Sequence, residues 1–262
     1  MNLRNYKHPG QLLLPMAAFL LLSACSWSQS GGGAAPDTTQ IVQSIAGHDQ
    51  MQAKVLQRYQ ALRHYEIEYH GFLRNITAKM DVELEYDASS GKSFQVISQS
   101  GSHTLCEKVL KRALDSERDA SQDRGAHALT MANYKFQLLG SDTLEGRPTY
   151  VLQVEPLTGS PYLYRGKIWV DAADGAVSKM DVQPAKNPSF WISQTLIHQT
   201  SSRIGNFWLP RQNRSETRVR IGGKAVLTID YGPYQILQWQ TPQIHEETGA
   251  QLANAVPQPL VQ

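Results

Sequence analysis

Met80, Val82, Leu84 and Tyr86 alternate with Asp81, Glu83, Glu85 and Asp87, and Tyr65, Ile67 and Tyr69 alternate with Glu66, Glu68 and His70. A period of two puts every second side chain on one face, so these segments read as strands with one face buried and the other wet. One-sided strands of this kind belong to antiparallel sheets, because parallel sheets bury both faces. Further strands are expected over residues 92–99, 134–139, 149–155, 164–171, 176–183, 190–203, 207–213, 214–221 and 224–231. Most are joined by tight turns, at Glu145-Gly146, Asp174-Gly175, Gly205-Asn206 and Gly222-Gly223, of the glycine-bearing type that closes hairpins. Helical spacing occurs only early. Asp37 or Thr38 caps a predicted helix reaching to about Arg63, with Ile41, Ile45, Val55, Leu56, Tyr59 and Leu62 as its stripe. A second helix is predicted over 103–119, with Leu105, Val109, Leu110 and Leu114 inward, and residues 118–126 read as a loop. The expected class is α+β, mainly antiparallel β: one large curved sheet with helices on one face.

The N-terminus carries a separate message. Arg4 and Lys7 precede an apolar run from Leu12 to Leu22, and Leu22-Ser23-Ala24-Cys25 follows. A basic start, a short apolar run and small residues at the cut make an export signal, and the run is shorter than the ~20 residues of a membrane span. The last four residues resemble the lipobox of bacterial lipoproteins. That resemblance implies cleavage after Ala24 and a lipid, palmitate among its chains, on Cys25. Residues 1–24 are then a signal peptide, 25–39 a Gly- and Ser-rich tether, 40–240 the domain, and 241–262 a polar, proline-dotted tail. Ser26, rather than an aspartate, favours the outer membrane. With Cys25 acylated, Cys106 has no partner in the chain and reads as a small buried hydrophobe, so the domain must stand without a disulfide.

Residues 164–171 (Tyr-Arg-Gly-Lys-Ile-Trp-Val-Asp), 184–191 (Pro-Ala-Lys-Asn-Pro-Ser-Phe-Trp), 207–210 (Phe-Trp-Leu-Pro) and 227–231 (Leu-Thr-Ile-Asp-Tyr) together resemble the outer membrane lipoprotein-sorting family, the LolA-like group. The likeness spans about residues 40–239. It implies an unclosed β-barrel of about ten to eleven strands covered by helices, with an apolar cavity between them. It also implies binding of lipoprotein acyl chains or another amphiphile for envelope lipoprotein sorting or lipid transfer, from a periplasm-facing position. The alternative within the same fold is a sensing or regulatory module with an envelope protein as partner. A free carrier would not be anchored, and no residue here can be matched to the carrier's functional arginine.

Candidate cavity residues are Tyr65, Ile67, Tyr69, Met80, Val82, Leu84, Phe94 and Val96 on the strands, with Leu105, Val109 and Leu110 on the helix above. Residues 184–191 could form a lid or touch a membrane through their aromatics. Arg214, Arg218 and Arg220 could meet anionic headgroups across one strand face. Signals for catalysis are poor. The histidines show no HExxH or similar metal spacing, His103 and Cys106 lack a third orienting group, and there is no phosphate-binding glycine loop. No enzyme activity, metal or cofactor is expected, and a net charge of +2 gives no reason to expect nucleic-acid binding.

Overall fold

The computed structural model describes residues 36–240 except positions 123, 188 and 221. The signal segment, Cys25, most of the tether and the tail lie outside the described residues. Among those described, no helix is long and apolar enough to cross a membrane.

The chain opens with helix α1 (Thr38–Val55), then strands β1 (Leu56–His70), β2 (Asn75–Asp87) and β3 (Gly91–Gly101). A helical segment follows: α2 (His103–Leu105), a π-helical turn (Cys106–Leu110), α3 (Lys111–Gln122) and α4 (Arg124–His127). The rest is strands: β4 (Tyr134–Leu144), β5 (Arg147–Pro156), β6 (Tyr164–Asp171), β7 (Val177–Pro184), β8 (Ile192–Ile204), β9 (Phe207–Val219) and β10 (Lys224–Trp239). All ten form one sheet in the order β3-β2-β1-β10-β9-β8-β7-β6-β5-β4, antiparallel throughout. The sheet does not close, and β3 and β4 are its two edges.

The predicted alternation holds in β2, where Ala78, Met80, Val82, Leu84 and Tyr86 are buried. The register carries one face across the sheet: Met80 lies opposite Tyr65, and Tyr65 opposite Ile229. Helices cover this face in two places. Ile41, Val42 and Ile45 of α1 pack on Leu152, Val154, Ile168, Val170 and Val182 of β5–β7. Leu105, Cys106, Leu110 and Leu114 pack on Tyr65, Ile67, Met80 and Val82. Between these two cores lies a smaller cluster of Leu56, Tyr59, Ala61, Leu84, Tyr86, Phe207 and Leu209.

The structure corrects three boundaries. The first helix stops at Val55, and residues 56–63 are the start of β1. Register shifts at Leu56/Arg58 and Arg58/Tyr59 set the buried Leu56 and Tyr59 three residues apart. From Tyr59 on, the inward positions are the small Ala61 and the charged Arg63 while Leu62 faces out, so the apolar residues fall at helix-like spacing. The expected strands 207–213 and 214–221 are one strand, β9. Residues 118–122 continue α3 instead of forming a loop, and α4 adds a short turn after it. Cys106 is buried as expected, its thiol 3.7 Å from the Ser100 carbonyl oxygen.

Candidate functional site

The two helical covers leave a gap, and the gap is a cavity of about 630 Å³. That volume lies within the roughly 300–1,000 Å³ of small-molecule sites. Gln52 and Ala53 of α1 and Leu56 and Tyr59 of β1 form one side. Tyr86 and Lys92 continue the wall across β2 and β3, and Trp208, Leu209 and Pro210 of β9 close another. His127, Ala128, Tyr162 and Tyr164 make the far end.

Aromatic residues make up much of the wall, and several are held by stacking or hydrogen bonds. Tyr59 stacks on Tyr86 with centroids 4.9 Å apart and meets Tyr234 edge-on at 5.7 Å. The Tyr234 hydroxyl donates to the Pro210 carbonyl at 2.7 Å. Trp208 is held on three sides. Its backbone N–H donates to Gln52 Oε1 at 2.8 Å, its carbonyl accepts from Gln52 Nε2 at 2.9 Å, and its indole N–H donates to Asp174 at 2.8 Å. Asp174 also accepts from Arg147 at 3.0 Å, and Arg147 in turn grips the buried Asp171 through two nitrogens. Burial pushes the Asp171 carboxyl up, but the hydrogen bonds from Arg147 and from the backbone of Asp174 and Ala173 outweigh it and hold the group below its ordinary value. At the other end the His127 ring lies 5.1 Å from Tyr162. Its Nδ1 is buried and has no hydrogen-bond partner in the protein. Lys92 donates to Glu117 at 2.6 Å. The cavity is thus mainly apolar, with polar groups from Asp49, Gln50 and Gln52 on the α1 side and Lys92 and His127 elsewhere. Burial pushes the Asp49 carboxyl up against the opposing effect of His48.

Beside it sits a charged group that the sequence reading missed. Arg63 points inward from β1 and is 1% exposed. Its guanidinium donates to both Glu117 carboxylate oxygens, at 2.6 and 3.1 Å, and to the Tyr65 hydroxyl at 3.3 Å. It lies over the Tyr231 ring at 4.6 Å and near the Phe94 ring at 5.5 Å. Burial pushes the Glu117 carboxyl up, but the charges and hydrogen bonds of Lys92 and Arg63 overcome that and bring it down to about 2. The pair pins α3 to β1. Its one trace in the sequence is phase: Arg63 lies two residues before Tyr65 and four before Ile67, both inward.

The expected cavity residues do not line this cavity. Tyr65, Ile67, Met80, Val82, Leu105 and Leu110 are buried against one another, and Leu84 belongs to the neighbouring cluster. Tyr69, Phe94 and Val109 are partly buried at the margin of the same packing. Val96 faces the same way as its partner Val82 but is exposed, because β3 is a sheet edge. Direct packing of α2, the π turn and α3 on these residues is what fills the space. Of the arginines expected to share a face, Arg214 pairs with Glu216 at 2.8 Å. Arg220 instead lies over the Phe190 ring at 5.2 Å. Among the described residues, no group of three His, Cys, Asp or Glu is placed to hold a metal ion.

No protein-family profile matches the chain, and no curated protein matches it by sequence. Similar solved structures exist. A DUF1329 family protein from Desulfovibrio piger is 12% identical, with 77% of this chain and 94% of that one covered and a TM-score of 0.39. A LolA superfamily protein from Nitrosomonas europaea is 13% identical over 78% of this chain and 95% of that one, with a TM-score of 0.35. A putative outer membrane lipoprotein-sorting protein domain from Vibrio parahaemolyticus is 11% identical over 77% and 92%, also with a TM-score of 0.35. The architecture described above rests on this chain's own strand order and register, not on those superpositions.

Proposed function

We propose that this is a lipid-anchored envelope protein, tethered through Cys25 and facing the periplasm, whose cavity takes up a single amphiphile such as a lipoprotein acyl chain. The observation that carries the reading is the aromatic-lined cavity between α1, α4 and the sheet. With the Trp208 indole N–H paired to Asp174, its backbone paired to Gln52, and Lys92 paired to Glu117, an alkyl chain can fill the space without leaving those groups unsatisfied. A chain of ~16 carbons gains on the order of 10 kcal/mol on burial before ordering costs. The packed patch of Tyr65, Ile67, Tyr69, Met80, Val82, Leu84, Phe94, Val96, Leu105, Val109 and Leu110 extends this site when α3 lifts from β1. Release of Arg63 from Glu117 is the step that frees it.

A fluorescent fatty-acyl probe should bind the Cys25→Ser protein saturably and be displaced by a lipopeptide. Ala53→Trp places a large ring in the cavity from the exposed side of α1. It should weaken probe binding at least about tenfold, the equivalent of ~1.4 kcal/mol. Non-saturable uptake, or identical binding by Ala53→Trp, would rule the cavity out as the site. The anchor is tested separately: labelled palmitate should enter the wild-type protein in cells and not Cys25→Ser. Equal incorporation would exclude Cys25 as the acylated residue.

A further inference from the structure

The two ends of the sheet differ in a way the cavity does not explain. Strand order brings four hairpin tips side by side at one end: residues 71–74, 220–223, 185–191 and 157–163. These segments contain Arg74, Lys186 and Arg220 and no Asp or Glu. The tips at the opposite end, residues 88–90, 145–146, 172–176 and 205–206, contain Glu145 and Asp174, no Lys or Arg, and no large apolar side chain.

The first end also exposes its largest side chains. Phe72 is 98% exposed, Leu73 beside it nearly as much, and Phe190 and Trp191 both project into solvent. Two tips at one end of the sheet hold such pairs, with the Arg220-bearing tip between them, and chance exposure of single hydrophobes does not account for that. The loop bearing the aromatic pair is held in place. The Arg220 N–H donates to the Trp191 carbonyl at 2.8 Å, and the Phe190 and Trp191 rings meet edge to face at 5.5 Å. The Arg220 guanidinium lies over Phe190, so cation and ring sit at one level. On the next hairpin the Tyr69 hydroxyl donates to the Gly222 carbonyl at 3.0 Å, linking the tip of β1–β2 to that of β9–β10. None of the three tip cations forms an ion pair with a described carboxylate.

We infer that this end of the sheet is a membrane-docking surface, in which Phe72, Leu73, Phe190 and Trp191 enter the interfacial layer of a bilayer while Arg74, Lys186 and Arg220 meet anionic headgroups. Charge complementarity selects this occupant: the four tips carry cations and no carboxylate, and the nearby Glu68 and Glu216 are paired with His70 and Lys224, as an anionic lipid surface requires. The geometry agrees. Aromatic wedges on separate hairpins fit a deformable interface, where tryptophan is favoured, better than one rigid protein face.

The test is fluorescence of the Cys25→Ser protein, which lacks the anchor, carrying Trp27→Phe as background, with vesicles of phosphatidylcholine and phosphatidylglycerol carrying brominated acyl chains. Tryptophan emission should be quenched, and Trp191→Phe should remove most of the lipid-dependent change. Trp239→Phe, an exposed tryptophan at the other end of the sheet, should leave that change intact. Each of Arg74→Gln, Lys186→Gln and Arg220→Gln should raise the phosphatidylglycerol needed for half-quenching about fivefold. The substituted positions are solvent-facing tips, and far-UV circular dichroism checks that the fold is kept. Equal quenching with and without Trp191→Phe overturns the inference, as does equal quenching on vesicles of phosphatidylcholine alone. So does a protein complex that depends on Phe72 and Trp191 without any lipid quenching.

Discussion

Glu117→Ala is expected to lower the unfolding free energy by about 3–5 kcal/mol, because it leaves the Arg63 guanidinium buried without its counter-charge. Arg63→Met should cost clearly less. Glu117 is 27% exposed and keeps Lys92 at 2.6 Å, so removing the arginine leaves no stranded charge in the core. The double variant Arg63→Met/Glu117→Gln should recover much of the loss of Glu117→Ala, since an apolar core can replace a buried pair at little cost. Urea unfolding of the four proteins measures all three. The same pair sets an acid limit. Glu117 ionises at about 2 in the folded protein against an ordinary 4.5, so the folded state binds fewer protons at this site than the unfolded chain. Its stabilisation is complete above pH ~4.5 and is lost as pH falls toward ~2, by at most ~1.4 kcal/mol per pH unit. Wild type should therefore lose stability faster than Glu117→Ala through that window. Parallel acid curves, or a cost for Glu117→Ala under ~1 kcal/mol, would mean that Arg63 is solvated in solution.

Gly166→Ala is expected to cost about 3 kcal/mol or more, the sum of backbone strain and overpacking. Gly166 sits in β6 with φ +140°, and a β-carbon there would fall on the Asp181 carbonyl oxygen and 2.8 Å from Val182 Cα in β7. Neither neighbour is a flexible side chain that could move aside. Gly140, with φ +144° and nothing within 4 Å of where a β-carbon would sit, is the internal control. Gly140→Ala bears only the conformational part, ~1–3 kcal/mol. The difference between the two variants, read from thermal or urea unfolding, isolates the steric contact that sets the spacing of β6 and β7. Equal costs would show that this spacing is free to relax.

The residues that were easy to read are those whose neighbours along the chain share their fate. In β2 every second residue from Ala78 to Tyr86 is buried, and no bulge interrupts its pairing with β1. The start of β1 was illegible for the opposite reason. The buried positions are Leu56, Tyr59, Ala61 and Arg63: a bulge against β10 sets the first two three residues apart, and the period of two that follows is carried by a small residue and a charged one while Leu62 faces out. Arg63 compounds the difficulty, because a buried guanidinium looks like a solvent position until Glu117, more than fifty residues on, is brought to it. The cavity is the least legible feature. Gln52, Tyr86, His127, Tyr162 and Trp208 come from five separate elements and connections. The alternating residues expected to form a lining are instead the ones that α2, the π turn and α3 pack against. Periodicity reports which side chains turn inward, but it does not report where helices leave that inward face bare.

An open border has a mechanical consequence. β3 and β4 end the sheet without a ladder on their outer sides, so the span between them can widen with no strand pair coming apart. A closed ring of strands would have to rupture a row of backbone hydrogen bonds to gain the same girth. What opposes such widening is side-chain packing together with the Arg63–Glu117 and Gln52–Trp208 links between helix and sheet, not a ladder of paired strands.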